Sequence, residues 1–412
     1  MTGLAIVVAN MIGTGVFTSL GFQLQQISNT NAVLFLWVLG GVLALSGAFS
    51  YAELGTCIKT SGGEYAYLTK IYGPLVGYLS GWISITVGFA APVALSCIAF
   101  TEYLPISGLN SQWVGVALVG LLTFIHSGNL RVSSQFQNLS TFLKVGFIVI
   151  LIASGLSRSS QNVIITESGF FSEIVSPAFA IALIYVSYSY SGWNAAAYIS
   201  GEFKNPSKSL PVALIGGTVL VTVLYTLLQY VFLKHVPVSE LKGQLNVGTL
   251  AAQKIGGKQA GDIFSVAISL LLVSGISAMV WVGPRVTASM AREHSLWKFL
   301  RADDGEIPKK ALWFQFAVTA SLLLSGTFEQ ILVYCGVLLT LSSMIAVFGT
   351  FILRKQKDTL YTYKSPLFPL FQILFTGLSL WMMLYAIINK PLETLAGTLN
   401  LFLGWLTYLR SK

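Results

Sequence analysis

The chain has 412 residues, of which 54% are hydrophobic and only 9% are charged, and its formal net charge is +9. Soluble domains carry about a quarter charged residues, so this composition excludes an ordinary soluble protein and indicates a chain built for the lipid bilayer. The positive charge does not indicate a nucleic-acid partner, because Lys and Arg collect in the cytoplasmic loops of membrane proteins.

The residues that metal centres and hydrolytic sites require are scarce in this sequence. The three cysteines have no metal-ligand spacing and no obvious partners, and the three histidines lie far apart. We therefore expect no metal, no cofactor and no catalytic residues, and we do not expect an enzyme. No cleavable signal peptide is apparent, because the chain opens at once with an apolar stretch, and this start looks clipped.

About twelve segments are apolar and long enough to cross the hydrocarbon core, which takes about 20 helical residues. The predicted spans are 3–25, 32–55, 73–103, 112–127, 137–157, 176–200, 209–233, 260–291, 311–325, 328–353, 366–388 and 392–409. If the N-terminus is cytoplasmic, most Lys and Arg fall in inner loops. The sequence thus predicts a multi-pass protein of the plasma membrane, the bacterial inner membrane, with both termini in the cytoplasm.

Two pairs of predicted spans share unusual features at an offset of five spans. The third and eighth spans are unusually long, whereas the first and sixth are interrupted by small residues, at Gly13-Thr14-Gly15 and Ser189-Tyr190-Ser191-Gly192. Glycine also serves close helix packing, but its matched position in both halves favours broken helices. We predict an all-α polytopic fold with an inverted five-plus-five repeat. Its units are residues 1–157 and 176–353, followed by a C-terminal helix pair at 366–410.

A helix that is interrupted inside the membrane exposes backbone groups, which persist only where they line a cavity or bind a ligand. The half-helix after Gly13 would offer free N–H groups and a positive dipole end, which suit a carboxylate. The helix ends near Ile12 and Ser189 would offer carbonyls, which suit an ammonium. Because neither 8–17 nor 185–198 contains a charged side chain, the pattern favours a neutral amino acid as the ligand.

Four sets of motifs lie along the chain in a familiar order. They are Val8–Phe17, then Tyr51–Thr56 with Ser61–Tyr65, then Ser191–Asn194 with Glu202, Lys204–Pro206 and Leu210-Pro211, then Arg285 with Ala291–Glu293. In this order they resemble the signatures of the amino acid–polyamine–organocation permeases, close to the L-type amino acid transporter branch and of bacterial type. The resemblance implies secondary active transport of amino acids by alternating access, as an exchanger or a proton-coupled symporter.

The resemblance also implies roles for individual residues. Gly13, Thr14 and Gly15 would hold the substrate carboxylate, and the carbonyls of Ile12 and Ser189 would bind its ammonium. The aromatic gate, usually Phe in relatives, would be Tyr188. The other candidate substrate-binding residues are Met11, Ser191, Gly192, Trp193, Asn194, Ser274, Gly275 and Ser277.

Lys144 lies in the middle of the fifth predicted span, where an ionisable group is costly and indicates function. Sodium-coupled members of this wider fold bind a cation between the first and eighth spans, and the resemblance places the Lys144 ammonium there. It would act either as a proton-coupling site or as a fixed strut in an exchanger. The alternative is that Lys144 snorkels toward the inner surface.

Other functions stay open at this point. A sodium-coupled transporter or a polyamine or other organocation transporter would share the fold, although Lys144 would compete with sodium for one site. A channel would need a continuous polar pore, and a membrane sensor needs no transport path. Since no cysteine lies near 104–111, where animal L-type members attach a glycoprotein, we expect no obligatory partner subunit. Glu53 and Glu64 are expected to form ion pairs or helix caps, and His126 is expected at the membrane interface.

Overall fold

The computed structural model describes residues 3–58, 62–104, 110–128, 134–160, 169–302, 306–356 and 362–411. All the regular secondary structure within these ranges is helical. Helices cover every predicted span. The first five spans consist of Gly3–Met11 with Gly15–Thr18 and Leu20–Gln26; Thr30–Cys57; Pro74–Ile83 with the π-helix Ser84–Gly88 and Ala90–Tyr103; Ser111–Ser127; and Ser134–Ser157.

The remaining spans are also helical. Its spans consist of Pro177–Ser189 with the 3₁₀ helix Ala195–Glu202; Pro206–His235; Lys258–Glu293; Lys309–Ser325; Phe328–Lys355; Leu370–Asn389; and Pro391–Ser411. Short helices in the connections are Glu64–Tyr72, Phe170–Ile174, Val238–Leu241, Val247–Gly256 and the 3₁₀ helix Ser295–Leu300.

Six of these helices are long and apolar enough to cross a membrane, and the bent first span, which turns by 49°, adds a seventh. The six are Thr30–Cys57, Pro74–Tyr103, Pro206–His235, Lys258–Glu293, Phe328–Lys355 and Leu370–Asn389. The prediction of an all-α polytopic membrane protein is therefore confirmed. The division into repeats at 1–157 and 176–353, with the pair at 366–410, stays a prediction.

Polar caps begin four even-numbered spans, which all start on the side of the bundle away from Gly3. The Asn29 side chain accepts the N–H of Ala32, and Asn110 and Ser176 cap the fourth and sixth spans in the same way. Thr327 forms a reciprocal capping box with Gln330 at the start of the tenth span. These caps satisfy backbone N–H groups that a helix leaves free at its start.

Eight of the spans pack as two groups, and both interrupted helices belong to the first group. The first, second, sixth and seventh spans contact one another, and the third, fourth, eighth and ninth form the other group. Small residues allow the close approach within the first group: Gly217 of the seventh span meets Val7, and Gly41 of the second span meets Thr222. The fifth span lies against the first, seventh and eighth.

Candidate functional site

The first span is interrupted at Ile12–Thr14, between the helices that end at Met11 and begin at Gly15. The Gly13 N–H turns back to the Met11 carbonyl at 2.9 Å instead of continuing the helical ladder. Among the described residues, the Thr14 N–H has no acceptor and the Ile12 carbonyl has no donor. Two of the backbone groups that the sequence predicts to bind a zwitterion thus have no partner in the part of the chain that the structure describes.

Side chains from neighbouring spans fix the path of this interrupted segment. From the seventh span, the Tyr225 hydroxyl donates to the Met11 carbonyl at 2.5 Å, and the Gln229 amide donates to the Val16 carbonyl at 2.9 Å. From the third span, the Tyr103 hydroxyl donates to the Phe17 carbonyl at 3.0 Å. Because buried carbonyls need donors, these bonds replace part of the missing helical ladder.

The sixth span is interrupted over five residues, from Tyr190 to Asn194, and then continues as a 3₁₀ helix. Gly192 takes a φ of +97°, a conformation that costs L side chains energy and that glycine adopts freely. Turn bonds run from the Ser191 N–H to the Tyr188 carbonyl at 2.9 Å and from the Ala195 N–H to the Gly192 carbonyl at 3.0 Å. In the part of the chain that the structure describes, the Ser189 carbonyl accepts no hydrogen bond.

The two interruptions lie directly against each other. A Cβ added to Gly15 would lie 2.7 Å from the Cα of Ser189, and one added to Gly192 would lie 2.7 Å from the carbonyl carbon of Asn10. The hydroxyls of Ser19 and Ser189 are 3.1 Å apart. Two glycines thus let the backbones of the first and sixth spans cross at close range.

Tyr188, the predicted gate, is buried at the end of the intact half of the sixth span, and its hydroxyl faces the Thr14 side chain. The structure therefore brings Tyr188 together with the interruption in the first span. Met11 and Ile12 are also buried at this position.

Two other predicted binding residues point away from the crossing. The Trp193 ring packs edge-on against Tyr51 of the second span, with the ring centroids 4.7 Å apart. The Asn194 amide donates to the carboxylate of Glu64 at 2.9 Å. Both side chains therefore connect the sixth span to the second span and to the loop that follows it. These lie on the side of the bundle where the chain begins at Gly3, which we call the N-terminal side.

The eighth span contributes Gly275 to a cavity of about 60 Å³, which has room for a few water molecules. Ser274 and Ser277 are absent from its lining. Ser277 instead lies 2.9 Å from Nε2 of His126 in the fourth span. His126, in the last turn of its helix, is only 3% exposed and packs against other helices, and its place at the membrane interface stays a prediction.

The same cavity holds Lys144, which faces Ile12 and Gly13 of the first span and Gly275 of the eighth. The Lys144 Nζ lies 3.5 Å from the position that a Cβ on Gly275 would take. In the described ranges, Lys144 forms no ion pair. The cation therefore lies next to the middle of the eighth span rather than at the end of its own helix, as the snorkelling alternative required.

The two acidic residues of the N-terminal side differ. Glu53 forms the expected ion pair, since Arg354 binds both its oxygens at 2.7 Å. Glu64 pairs with no Lys or Arg within the described ranges and accepts hydrogen bonds from neutral side chains. The expectation of an ion pair or a helix cap at Glu64 is therefore wrong.

Sequence reasoning missed the residues that hold the first interruption, namely Tyr103, Tyr225 and Gln229. Gln229 could have been found, because an amide inside an apolar span needs a polar partner. The two tyrosines carried no such signal, since buried tyrosines are common in this chain.

Comparison with known proteins decides the family. The model of the family described as amino acid permease matches residues 2–409. The chain belongs to this family. It is 30% identical to the serine/threonine exchanger SteT of Bacillus subtilis over 90% of this chain and 86% of that protein. It is 28% identical to the b(0,+)-type amino acid transporter 1 of Mus musculus, covering 95% and 82% of the two chains. The Asc-type amino acid transporter 1 of Mus musculus is 26% identical, covering 97% and 78%.

Proposed function

We propose that this permease is a secondary active transporter of neutral L-amino acids that works by alternating access, as an exchanger or a proton-coupled symporter. The observation that carries the proposal is the crossing of the two interrupted spans, where the Thr14 N–H and the carbonyls of Ile12 and Ser189 lack partners among the described residues. The names of its relatives, which include an exchanger and amino acid transporters, support the substrate class.

The crossing offers complementary groups to a zwitterion. The substrate carboxylate binds the N–H groups around Thr14, where the positive end of the following half-helix adds to the attraction. The ammonium binds the carbonyls of Ile12 and Ser189. Tyr188 covers the bound molecule from the sixth span. Because 8–17 and 185–198 contain no charged residue, a substrate with a net charge gains no partner from these two segments.

Lys144 supports a mechanism without sodium. Its ammonium occupies the cavity between the first and eighth spans, where a bound sodium ion would meet a like charge. In an exchanger, this fixed cation holds the interrupted first span against the eighth. In a symporter, the same group takes up and releases the transported proton.

The charge bias of the loops supports a location in the plasma membrane, the bacterial inner membrane, with both termini in the cytoplasm. The absence of cysteine from 104–111 supports a transporter that works without an obligatory partner subunit. Two competing proposals are sodium-coupled transport and transport of polyamines or other organocations by the same fold. A channel or a sensor is the alternative from another class.

The test is uptake of radiolabelled amino acids into proteoliposomes that contain only this chain. Vesicles are loaded with unlabelled amino acid or left empty, with and without a pH gradient and sodium. Uptake only into loaded vesicles establishes exchange, and gradient-driven uptake into empty vesicles establishes proton symport. Sodium dependence or polyamine uptake selects the competing proposals, and non-saturable flux selects a channel. No uptake of any amino acid by folded protein overturns the assignment.

The Lys144→Ala variant separates the two leading mechanisms. Loss of gradient-driven uptake assigns proton coupling to Lys144, whereas slower exchange without any pH dependence assigns a strut. Lys254→Ala is the matched control, because Lys254 pairs with the exposed Glu240 at 3.0 Å in a loop helix. Surface ion pairs contribute little, so this control keeps wild-type uptake.

A further inference from the structure

The Glu64 carboxylate is the most heavily hydrogen-bonded group in the described part of the chain. The side chain is 3% exposed and begins the loop helix Glu64–Tyr72 between the second and third spans. Five side chains donate to it: Tyr51 at 2.6 Å, Asn194 at 2.9 Å, Ser343 at 3.0 Å, Tyr198 at 3.3 Å and Ser342 at 3.4 Å.

All five donors are neutral, and no Lys or Arg in the described ranges forms an ion pair with Glu64. A buried carboxylate without a cation is costly unless its oxygens are fully hydrogen-bonded. The five donors thus hold Glu64 only while they all surround it. If one helix moves away, it takes its donors along and leaves the charge undersatisfied, so the cluster couples the positions of several helices.

The donors come from three spans, which in the described residues meet all together at no other carboxylate. Tyr51 belongs to the second span, and Ser342 and Ser343 belong to the tenth. In the sixth span, Asn194 is the last residue of the interruption and Tyr198 lies in the 3₁₀ helix that follows it. The loop before Glu64 makes a further contact with the sixth span, because the Gly62 N–H donates to the Tyr198 carbonyl at 3.1 Å.

The Glu64 cluster lies where the two packed groups of spans are connected. The second and sixth spans belong to one packed group, whereas Glu64 lies on the connection to the third span, which belongs to the other. Alternating access in repeat-built transporters moves one group of helices against another around a fixed site. The Glu64 cluster joins the interrupted sixth span to the tenth span and to that connection, on the N-terminal side of the crossing.

We infer that Glu64 is a positioning residue for transport, which holds the segment after the sixth-span interruption on the tenth span and releases it when the N-terminal side opens. The inference rests on the proposed transport function. On this inference, Asn194 and Tyr198 link the crossing of the first and sixth spans to Glu64. We call Glu64 with its five donors the Glu64 latch.

Glu53 provides a matched comparison. It is buried on the same side and also joins the second span to the tenth, but its partner is the cation of Arg354 and it receives the Ser365 N–H at 2.7 Å. Removing its charge breaks a buried ion pair and destabilises the fold. Glu53 has no hydrogen bond to the sixth span in the described residues, so it does not hold the segment after the interruption.

The experiment measures exposure of that segment. Ala197 is fully buried within Ala195–Glu202. Ala197→Cys is introduced into a chain whose three native cysteines are replaced by alanine, and its reaction with a soluble maleimide is timed in detergent and in vesicles. We expect Glu64→Gln to speed labelling by about tenfold, because a carboxamide cannot accept all five donors. Glu53→Gln should lower the melting temperature but leave the labelling rate of the folded protein unchanged.

Transport supplies an independent readout. In the same vesicles, Glu64→Gln should lower the maximal exchange rate by about tenfold with a KM change below about threefold, as expected for an altered conformational equilibrium rather than lost substrate contacts. Ser343→Ala and Tyr51→Phe, which each remove one neutral donor, should show the same pattern more weakly and keep the proposal testable if Glu64→Gln misfolds.

Two results overturn the inference: labelling and kinetics that match wild type in Glu64→Gln, or equal labelling changes in the Glu53 and Glu64 variants. Labelling does not require substrate. If the wild type transports no amino acid but Glu64→Gln still speeds labelling, the proposed transport function is wrong, whereas the positioning role of Glu64 is supported.

Discussion

The interruptions of the first and sixth spans look alike in sequence but are built differently. The first covers three residues, Ile12–Thr14, and neither Gly13 nor Gly15 takes a positive φ. The sixth covers five residues and depends on Gly192 at a φ of +97°. Glycine therefore provides close approach in the first span, and both close approach and a left-handed turn in the sixth.

The two interruptions also differ in what holds them. Side chains of the third and seventh spans donate to backbone carbonyls in the helices on either side of the first interruption. The sixth instead sends out its own side chains, since Asn194 reaches Glu64 and Trp193 packs against Tyr51. We therefore propose that the first interruption is a held platform for the ligand and that the sixth is the moving part, which transmits its position to the loop. The following predictions test this difference.

The largest effect is expected for Gly192→Ala. The left-handed backbone costs about 1–2 kcal/mol for an L side chain. The new Cβ would also lie 2.7 Å from the Asn10 carbonyl carbon, so the two spans must separate. We expect exchange in proteoliposomes to fall by at least about a hundredfold, since each 1.36 kcal/mol corresponds to a factor of ten.

Gly73→Ala is the control for Gly192→Ala. Gly73 has a φ of +94°, but a Cβ there meets no described atom within 4 Å, so only the strain is reproduced. This variant should lower the melting temperature and keep exchange. Equal loss of exchange in both variants would show that backbone strain alone, and not the crossing with Asn10, explains the effect.

A smaller effect is expected for Gly15→Ala, which tests contact without strain. The added Cβ would lie 2.7 Å from the Cα of Ser189, and overpacking of this kind costs about 1–3 kcal/mol. We expect exchange to fall by about ten- to a hundredfold. Gly377→Ala in the eleventh span, where a Cβ meets no atom of the described residues within 4 Å, should match wild type. Wild-type exchange in Gly15→Ala would mean that the two interruptions need not touch.

The comparison also explains which features could be predicted from the sequence. Span boundaries and the sites of interruption follow from hydropathy and small residues, because both are local along the chain. Side-chain direction is not local: each residue turns a helix by about 100°, so a register known only to within a turn leaves the facing neighbour undetermined. Ser277, which the sequence suggested as a substrate-binding residue, contacts His126.

Hydrogen-bond partners far apart in sequence were equally hidden. Glu64 and Ser343 are separated by 279 positions, and no local pattern near Glu64 indicates five neutral donors. Lys144 was easier to interpret, because a cation within an apolar span must face the interior or an aqueous cavity wherever its neighbours lie. The charge inside an apolar span thus identified Lys144 as a functional candidate from the sequence, whereas the role of Glu64 could be recognised only from the structure.

The smallest effect is expected for Tyr225→Phe, which loosens the platform without changing its shape. The variant loses the hydroxyl that donates to the Met11 carbonyl at 2.5 Å, and a buried hydrogen bond contributes about 1 kcal/mol. We expect a fall of about fivefold in exchange, with the fold retained. Tyr230→Phe is the control, since Tyr230 lies on the same helix and makes no hydrogen bond in the described residues. If Tyr225→Phe instead abolished exchange like Gly192→Ala, the first interruption would be as mobile as the sixth, and the distinction between platform and moving part would be wrong.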